Sequence, residues 1–239
     1  MKVDILAFGA HPDDVELSCG GTLHKAILEG KTVAIIDLTR GELGTRGSAE
    51  IRKQEAMNAA ELLQVSFRKN LAFRDAFFVN DEEHQRAVIQ QIRTHQPSIV
   101  LCNAIEDRHI DHGKGSQLVS AACFLAGLQK IETHDEEGKS QQPWRPQHVY
   151  HYIQWKEITP DFVVDISAHL DAKIASIEAY SSQFFDPSSK EPSTPISSKN
   201  FIESVRYRAQ NLGRLSNVEA AEGFTVERTP LINDFKNIQ

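Results

Sequence analysis

Cysteine is scarce in this chain: Cys19, Cys102 and Cys123 are the only three in 239 residues, and they show no disulfide or zinc-ribbon spacing. That sets aside a disulfide-stapled scaffold and a cysteine-held zinc domain, and it makes a reducing cytoplasm the natural setting. No apolar run approaches the roughly 18 residues of a membrane span. The start, Met1-Lys2-Val3-Asp4, carries charge where a signal peptide needs an apolar core. No membrane partner is therefore expected. Positive charge is in short supply too. A net charge of -7 leaves no basic field to recruit nucleic-acid phosphates, although a local basic pocket for an acidic small molecule remains compatible with it. Internal repeats and heptad runs are absent. The length and a 40% hydrophobic content suit one large domain, 1–239, with a substantial core.

What the chain does have is an alternation of apolar runs and helical patterns. Strands are expected at 3–8, 32–38, within 65–73, and at 98–103. Helices are expected at 14–29, after Ser48 as N-cap, at about 81–95, and at 112–129. In the first helix Leu17, Leu23, Ile27 and Leu28 supply apolar contacts; in the second Ile51, Met57, Ala60 and Leu63 fit the buried face. The strand at 32–38 is apolar almost throughout, as a strand covered on both faces should be. This order predicts an α/β protein, a Rossmann-like three-layer fold with a mostly parallel sheet flanked by helices. Residues 1–130 would form its core. Beyond a polar surface loop at 132–146, strands at 147–155 and 161–166 and helices at 168–182 and about 200–213 would complete the site. A long loop from Phe185 to Lys199 would lie near it or over it.

Two polar clusters stand out because each follows an apolar strand. The first is His11-Pro12-Asp13-Asp14 and the second is Glu106-Asp107-Arg108-His109-Ile110-Asp111-His112. Ligands of open α/β sheets bind outside the carboxyl ends of the strands, so two such clusters can meet over one edge. A catalytic zinc takes about three protein ligands and keeps one position open. His11 and Asp14 face one point across a turn, and His112 can supply the third ligand. Asp13 is left free to accept a proton from water. His109 can serve as acid or oxyanion stabiliser, and Asp111 is placed to orient an imidazole. Ferrous iron, cobalt and manganese would suit the same donors.

Blander readings exist for each cluster alone. Asp13-Asp14 is also a helix cap, and a lone His-x-x-His also occurs on helix surfaces. Two clusters of matching chemistry at two strand ends favour the metal. Cys19 reads as a packed thiol, and the other histidines, at 24, 84, 95, 134, 148, 151 and 169, as structural. A nucleotide-binding reading fails because the first turn lacks G-x-G-x-x-G and its two aspartates would repel phosphate.

These residues resemble the PIG-L/LmbE-like zinc-dependent N-acetylglucosamine deacetylases. The resemblance rests on Gly9-Ala10-His11-Pro12-Asp13-Asp14-Val15-Glu16, Gly20-Gly21, the 38–47 loop with Glu50-Ile51-Arg52, and Glu106-Asp107-Arg108-His109-Ile110-Asp111-His112. It extends to Glu178-Ala179-Tyr180-Ser181-Ser182-Gln183-Phe184 and Ala221-Glu222-Gly223-Phe224. In pattern it is nearest to the bacillithiol-biosynthesis type that acts on N-acetylglucosaminyl-malate; the alternative is the same chemistry on another amide, such as an inositol glycoside, a chitooligosaccharide or a bacillithiol S-conjugate. The resemblance implies one zinc per subunit on His11, Asp14 and His112, with Asp13 as general base. It also implies that His109 stabilises the tetrahedral intermediate or protonates the leaving amine, with Asp111 behind it, and that Arg52 binds substrate. Arg40, Arg46 and Arg108 are further candidates for gripping the malate carboxylates, since arginine binds carboxylate bidentately. The implied partner is a small sugar conjugate, and a homo-oligomer, as large as a hexamer, is expected. One departure is Ile110, where the family usually has proline. An extended Ile110 would give a less rigid loop and an intact site.

Overall fold

A computed structural model of the chain describes residues 1–231. Its centre is a seven-stranded sheet in the order β3-β2-β1-β4-β5-β7-β6. The strands are β1 (Ile5–Gly9), β2 (Val33–Thr39), β3 (Phe67–Phe73), β4 (Ile99–Cys102), β5 (His148–Tyr152), β6 (Phe162–Asp165) and β7 (Ala221–Val226). The helices are α1 (Asp14–Leu28), α2 (Ala49–Leu63), α3 (Glu82–His95), α4 (Ile110–Ala126), α5 (Leu170–Glu178) and α6 (Phe201–Arg214). The first five strands of the order pair in parallel, and β7 lies antiparallel between β5 and β6.

β1 and β2 alternate between the two faces, which is why both are apolar throughout. Leu6, Phe8, Ala34 and Ile36 pack with Val88, Ile92, Leu118 and Val119 of α3 and α4. Ile5, Ala7, Val33 and Ile35 pack with Val15, Cys19 and Leu23 of α1. Helices α2, α5 and α6 build a further apolar cluster on the α1 side. The result is the expected three-layer α/β fold.

Three helix residues expected in the core are exposed: Leu28, Ile51 and Met57. Leu28 sits where α1 runs out into solvent. Ile51 and Met57 lie on the face of α2 opposite Ala56, Ala59, Ala60 and Leu63, the residues that turn to the sheet and α5. Strand β7 contains the Ala221-Glu222-Gly223-Phe224 motif and is a further strand beyond those expected from the sequence. Its partners in β5 and β6 lie dozens of residues back in the chain, and no local pattern announces them.

Helix α1 is broken. Cys19 has φ -136 and ψ 15, which divides the helix into two short segments. Such a break exposes carbonyls above it and N–H groups below it. Both sets are answered by one buried ion pair. Lys173 Nζ donates to the carbonyls of Glu16 and Leu17 at 3.1 and 3.0 Å. The Glu222 carboxylate accepts from the N–H groups of Gly21 and Thr22 at 3.0 and 2.7 Å, and it meets Lys173 at 2.5 Å. Gly21 is required here, because a Cβ at that position would come within 2.8 Å of the Ile166 side chain.

Candidate metal centre

The chain leaves β1 and turns into α1 through Asp13, whose φ of 112 is strained for a residue with a Cβ. The turn brings Asp14 under β4 and fixes it heavily. One carboxylate oxygen accepts from the His11 N–H at 2.9 Å and from Asn103 Nδ2 at 3.0 Å; the other accepts from Gln154 Nε2 at 3.1 Å. His112, from the first turn of α4, presents Nε2 to the same carboxylate at 3.0 Å, and His11 presents Nδ1 at 3.5 Å.

The opposite nitrogens of both rings are held by carboxylates. His112 Nδ1 meets Asp107 at 2.5 Å, and His11 Nε2 meets Asp75 at 3.1 Å and Asp111 at 3.4 Å. A ligating histidine in a metal site shows this arrangement, with one nitrogen free for the ion and the other fixed by a carboxylate. The donor set therefore fits a metal of the zinc type. Ring nitrogens of His11, His109 and His112 also lie within 4.8 Å of one another. His109 differs from the other two. It caps α4, and its Nδ1 accepts the Asp111 N–H at 3.3 Å. In the neutral ring, which burial and the adjacent His11 and His112 favour by lowering its pKa, the proton then sits on Nε2. His109 is thereby a hydrogen-bond donor beside the centre.

Two positions differ from expectation. The Asp111 carboxylate orients His11, not His109, because the first turn of α4 points it back toward the β3–α3 connection, where it also takes the Ala76 N–H at 2.8 Å and Lys114 at 3.1 Å. Ile110 is the first helical residue of α4, not an extended one, and its side chain is exposed. That is the position where proline's missing N–H costs nothing, so isoleucine leaves the site's frame intact.

Asp13 is buried beside this cluster. One of its oxygens accepts from Arg52 at 2.7 Å. Burial pushes its pKa up to about 7 although Arg52 works against the shift. For His112 burial disfavours the charge, yet Asp14 and Asp107 outweigh it and lift the pKa to about 9.

The centre opens into a cavity of about 350 Å³. His11, Asp13, Asp14, His109 and His112 line its floor; Gln154, Trp155, Phe201 and Arg208 from the C-terminal part of the chain line its wall. Of the four arginines expected to meet substrate, Arg108 and Arg52 line this cavity. Arg52 is largely committed: besides Asp13 it donates to the Pro12 carbonyl at 2.8 Å, packed where a side chain on Gly41 would collide with it. Arg46 points away. It holds the 182–191 segment through the Ser182 carbonyl at 2.9 Å and Ser189 at 3.0 Å, so it braces a loop. Arg40 is exposed and outside the cavity wall, a solvated loop charge. Cys19 is a buried thiol, and none of the seven histidines read as structural lines the cavity.

Sequence reasoning missed Asp75, Asn103, Gln154 and Arg208. Asp107, part of the second polar cluster, has its role only in the structure, on His112 Nδ1. Its signal was its position five residues before His112, at the strand end where orienting carboxylates gather.

Fold and cluster together define a Rossmann-like α/β protein with a histidine–carboxylate centre at its strand ends. The sequence profile of the PIG-L family, described as GlcNAc-PI de-N-acetylase, matches residues 6–123. The diacetylchitobiose deacetylase of Thermococcus kodakarensis is 30% identical over 190 residues, covering 75% of this chain and 70% of that protein. The conserved protein TT1542 of Thermus thermophilus superposes with a TM-score of 0.86 at 33% identity, covering 98% of both chains. The chain belongs to the PIG-L family of deacetylases. The Pseudomonas hydratase GalB also superposes, with a TM-score of 0.78 at 20% identity over 98% of this chain and 100% of its own. That likeness concerns the fold alone, so the reaction must be argued from the site. No helix among the described residues is long and apolar enough to cross a membrane.

Proposed function

We propose that this protein is a zinc-dependent amide hydrolase that removes the acetyl group from N-acetylglucosaminyl-malate, giving glucosaminyl-malate and acetate in bacillithiol biosynthesis. The observation that carries the hydrolytic reading is the placement of Asp13, with a pKa near neutrality, beside His11, Asp14 and His112, whose outer nitrogens are already held by carboxylates.

His11, Asp14 and His112 would hold the ion, which supplies a Lewis acid for the amide carbonyl and the attacking water. Asp13 takes the proton of that water. Its burial raises its basicity, and Arg52 keeps its carboxylate aimed while one oxygen stays free. His109 donates from Nε2 to the developing oxyanion, and the Asp111 backbone N–H on its Nδ1 fixes the ring for that task. The proton gained by Asp13 passes to the leaving amine, and acetate departs.

The malate part of the reading rests on Arg108 at the mouth of the cavity in a chain that is acidic overall. A second reading takes the substrate named for the 30%-identical Thermococcus relative, diacetylchitobiose. Acetate release from N-acetylglucosaminyl-malate, diacetylchitobiose and free N-acetylglucosamine, measured with zinc present, separates the two. A strong preference for the malate compound is expected. Preference for diacetylchitobiose would replace the malate reading, and hydrolysis of none would overturn both.

A further inference from the structure

The cavity wall carries two guanidinium groups that form no ion pair among the described residues, while Arg46, Arg52 and Arg68 each hold a carboxylate. Arg108 lies with its guanidinium over the Trp155 ring, 4.7 Å from the centroid. Trp155 is stacked on Phe201 at 6.0 Å, and Phe201 on Phe184 at 5.6 Å, so the platform beneath Arg108 is braced by three aromatic rings. Arg208, on α6, is partly buried and donates from one nitrogen to the Gln154 carbonyl. Its remaining donors have no recorded partner among the described residues.

Consecutive residues of one segment therefore anchor both groups, Arg208 through the Gln154 carbonyl and Arg108 through the Trp155 ring. The same Gln154 reaches the metal centre with its side chain, 3.1 Å from Asp14 and 3.4 Å from His112. The two cations are thus held in register with the reacting centre.

Burial pulls the pKa of Arg208 below its ordinary value, although the charges of Asp107 and Glu157 act the other way. A cation kept partly desolvated without a bonded carboxylate is a cost to the fold, and such costs gather at functional sites.

We propose that Arg208, paired with Arg108, takes a carboxylate of the substrate's aglycone and is a specificity-determining residue of this site. The inference rests on the deacetylase reading and sharpens its substrate to an anionic glycoside. A guanidinium offers several N–H donors in a planar fork, so two of them can grip one carboxyl group or two neighbouring ones.

The test compares wild type with Arg208→Gln and Arg208→Lys on N-acetylglucosaminyl-malate and on a neutral methyl N-acetylglucosaminide, alongside thermal unfolding of the zinc-loaded proteins. A hydrogen-bonded charge contact of this kind corresponds to a change of about 10–100-fold in the ratio of kcat/KM, acidic over neutral, in Arg208→Gln. Arg208→Lys keeps the charge without the fork and should fall between. The unfolding temperature of Arg208→Gln should hold or rise, since a desolvated cation has been removed. Equal losses on both substrates, or a lower unfolding temperature with an unchanged ratio, would assign Arg208 to the scaffold and overturn the proposal.

Free malate separates this failure from failure of the malate reading. If the enzyme prefers neutral substrates, inhibition of wild type by malate that disappears in Arg208→Gln still supports the fork. Absence of inhibition in wild type overturns it, and so does inhibition that Arg208→Gln leaves intact, which would mark malate held at the metal alone.

Discussion

Two buried arginines grip carboxylates at the start of α1, and they differ in how completely they do so. Arg68, from β3, is saturated: it holds Asp37 with two nitrogens at 2.7 Å each and Glu16 with the third, and Tyr180 adds a hydrogen bond to Glu16 at 3.1 Å. Arg52, from α2, holds Asp13 through one nitrogen, and its Nε is buried without a partner. Glu16 and Asp13 are three residues apart. Arg68 spends all three of its nitrogens on the two carboxylates, although Glu16 Oε2 stays without a partner, whereas Arg52 meets Asp13 through one nitrogen and leaves it a pKa near 7. A base has to exchange a proton, and saturation of the Arg68 kind would forbid that.

The contrast is broken most directly at Asp13. Replacing it with alanine should cost about 10²–10⁴-fold in kcat, the range of general-base catalysis, with zinc stoichiometry unchanged on metal analysis. Zinc loss from that variant would make Asp13 a ligand and remove the distinction. On the scaffold side, Arg68→Met strands Glu16 and Asp37 as buried charges. Roughly 3–5 kcal/mol of stability should disappear in denaturant titration, while kcat per folded molecule stays close to wild type. A selective loss of kcat without loss of stability would show that the Arg68 cluster belongs to the chemistry.

A smaller effect is expected behind His112, where Asp107 holds the outer ring nitrogen. Asp107→Asn frees the outer nitrogen of His112 and should lower zinc affinity by about 10–100-fold. Unchanged affinity in a competition titration with a chelator would show that His112 needs no orienting carboxylate.

The mildest probe is pH. His112 titrates near 9 in the metal-free fold, above its ordinary 6.5. Its protonated form therefore stabilises the metal-free protein fully below about pH 6.5, and that contribution is lost as pH rises through about 9. Zinc must displace the same proton. Apparent zinc affinity should then rise with pH, by about tenfold per unit for each proton displaced, since burial is outweighed at His11 as well, where Asp111, Asp14 and Asp75 hold the pKa above its ordinary value. An affinity that is flat between about pH 6 and about pH 8 would mean that no proton leaves His112 on binding.

What could be read from the sequence follows the same division. His11, Asp13, Asp14, His109 and His112 were legible because each lies between a strand and the first turn of the helix that follows it, two to ten residues past the strand end. Asp75, Asn103, Gln154 and Arg208 were not, because their contacts cross dozens of residues or more and depend on strand order. Asn103 meets Asp14 only because β4 lies beside β1. Gln154 does so because β5 lies beside β4. Arg40 and Arg46 share a loop with the cavity-lining Leu43, Gly44 and Thr45. Proximity in sequence to that lining suggested a role that the direction of each side chain does not support. Leu28, Ile51 and Met57 were read as core from their apolar character, which marks a helix face only when its partners are known.

The divided first helix also fixes when the centre can mature. Every candidate ligand, His11, Asp14 and His112, has left the ribosome once residue 112 has emerged. The short segment carrying Asp14 and Glu16 still lacks its clamp until Lys173 and then Glu222 have been delivered. Synthesis thus supplies the chemistry first and its brace about a hundred residues later. A nascent chain arrested after α4 would carry the complete ligand motif with neither Gln154 to steady Asp14 nor Glu222 to hold the helix behind it. An ion on His11, Asp14 and His112 would meet its complete frame only once β7 has arrived.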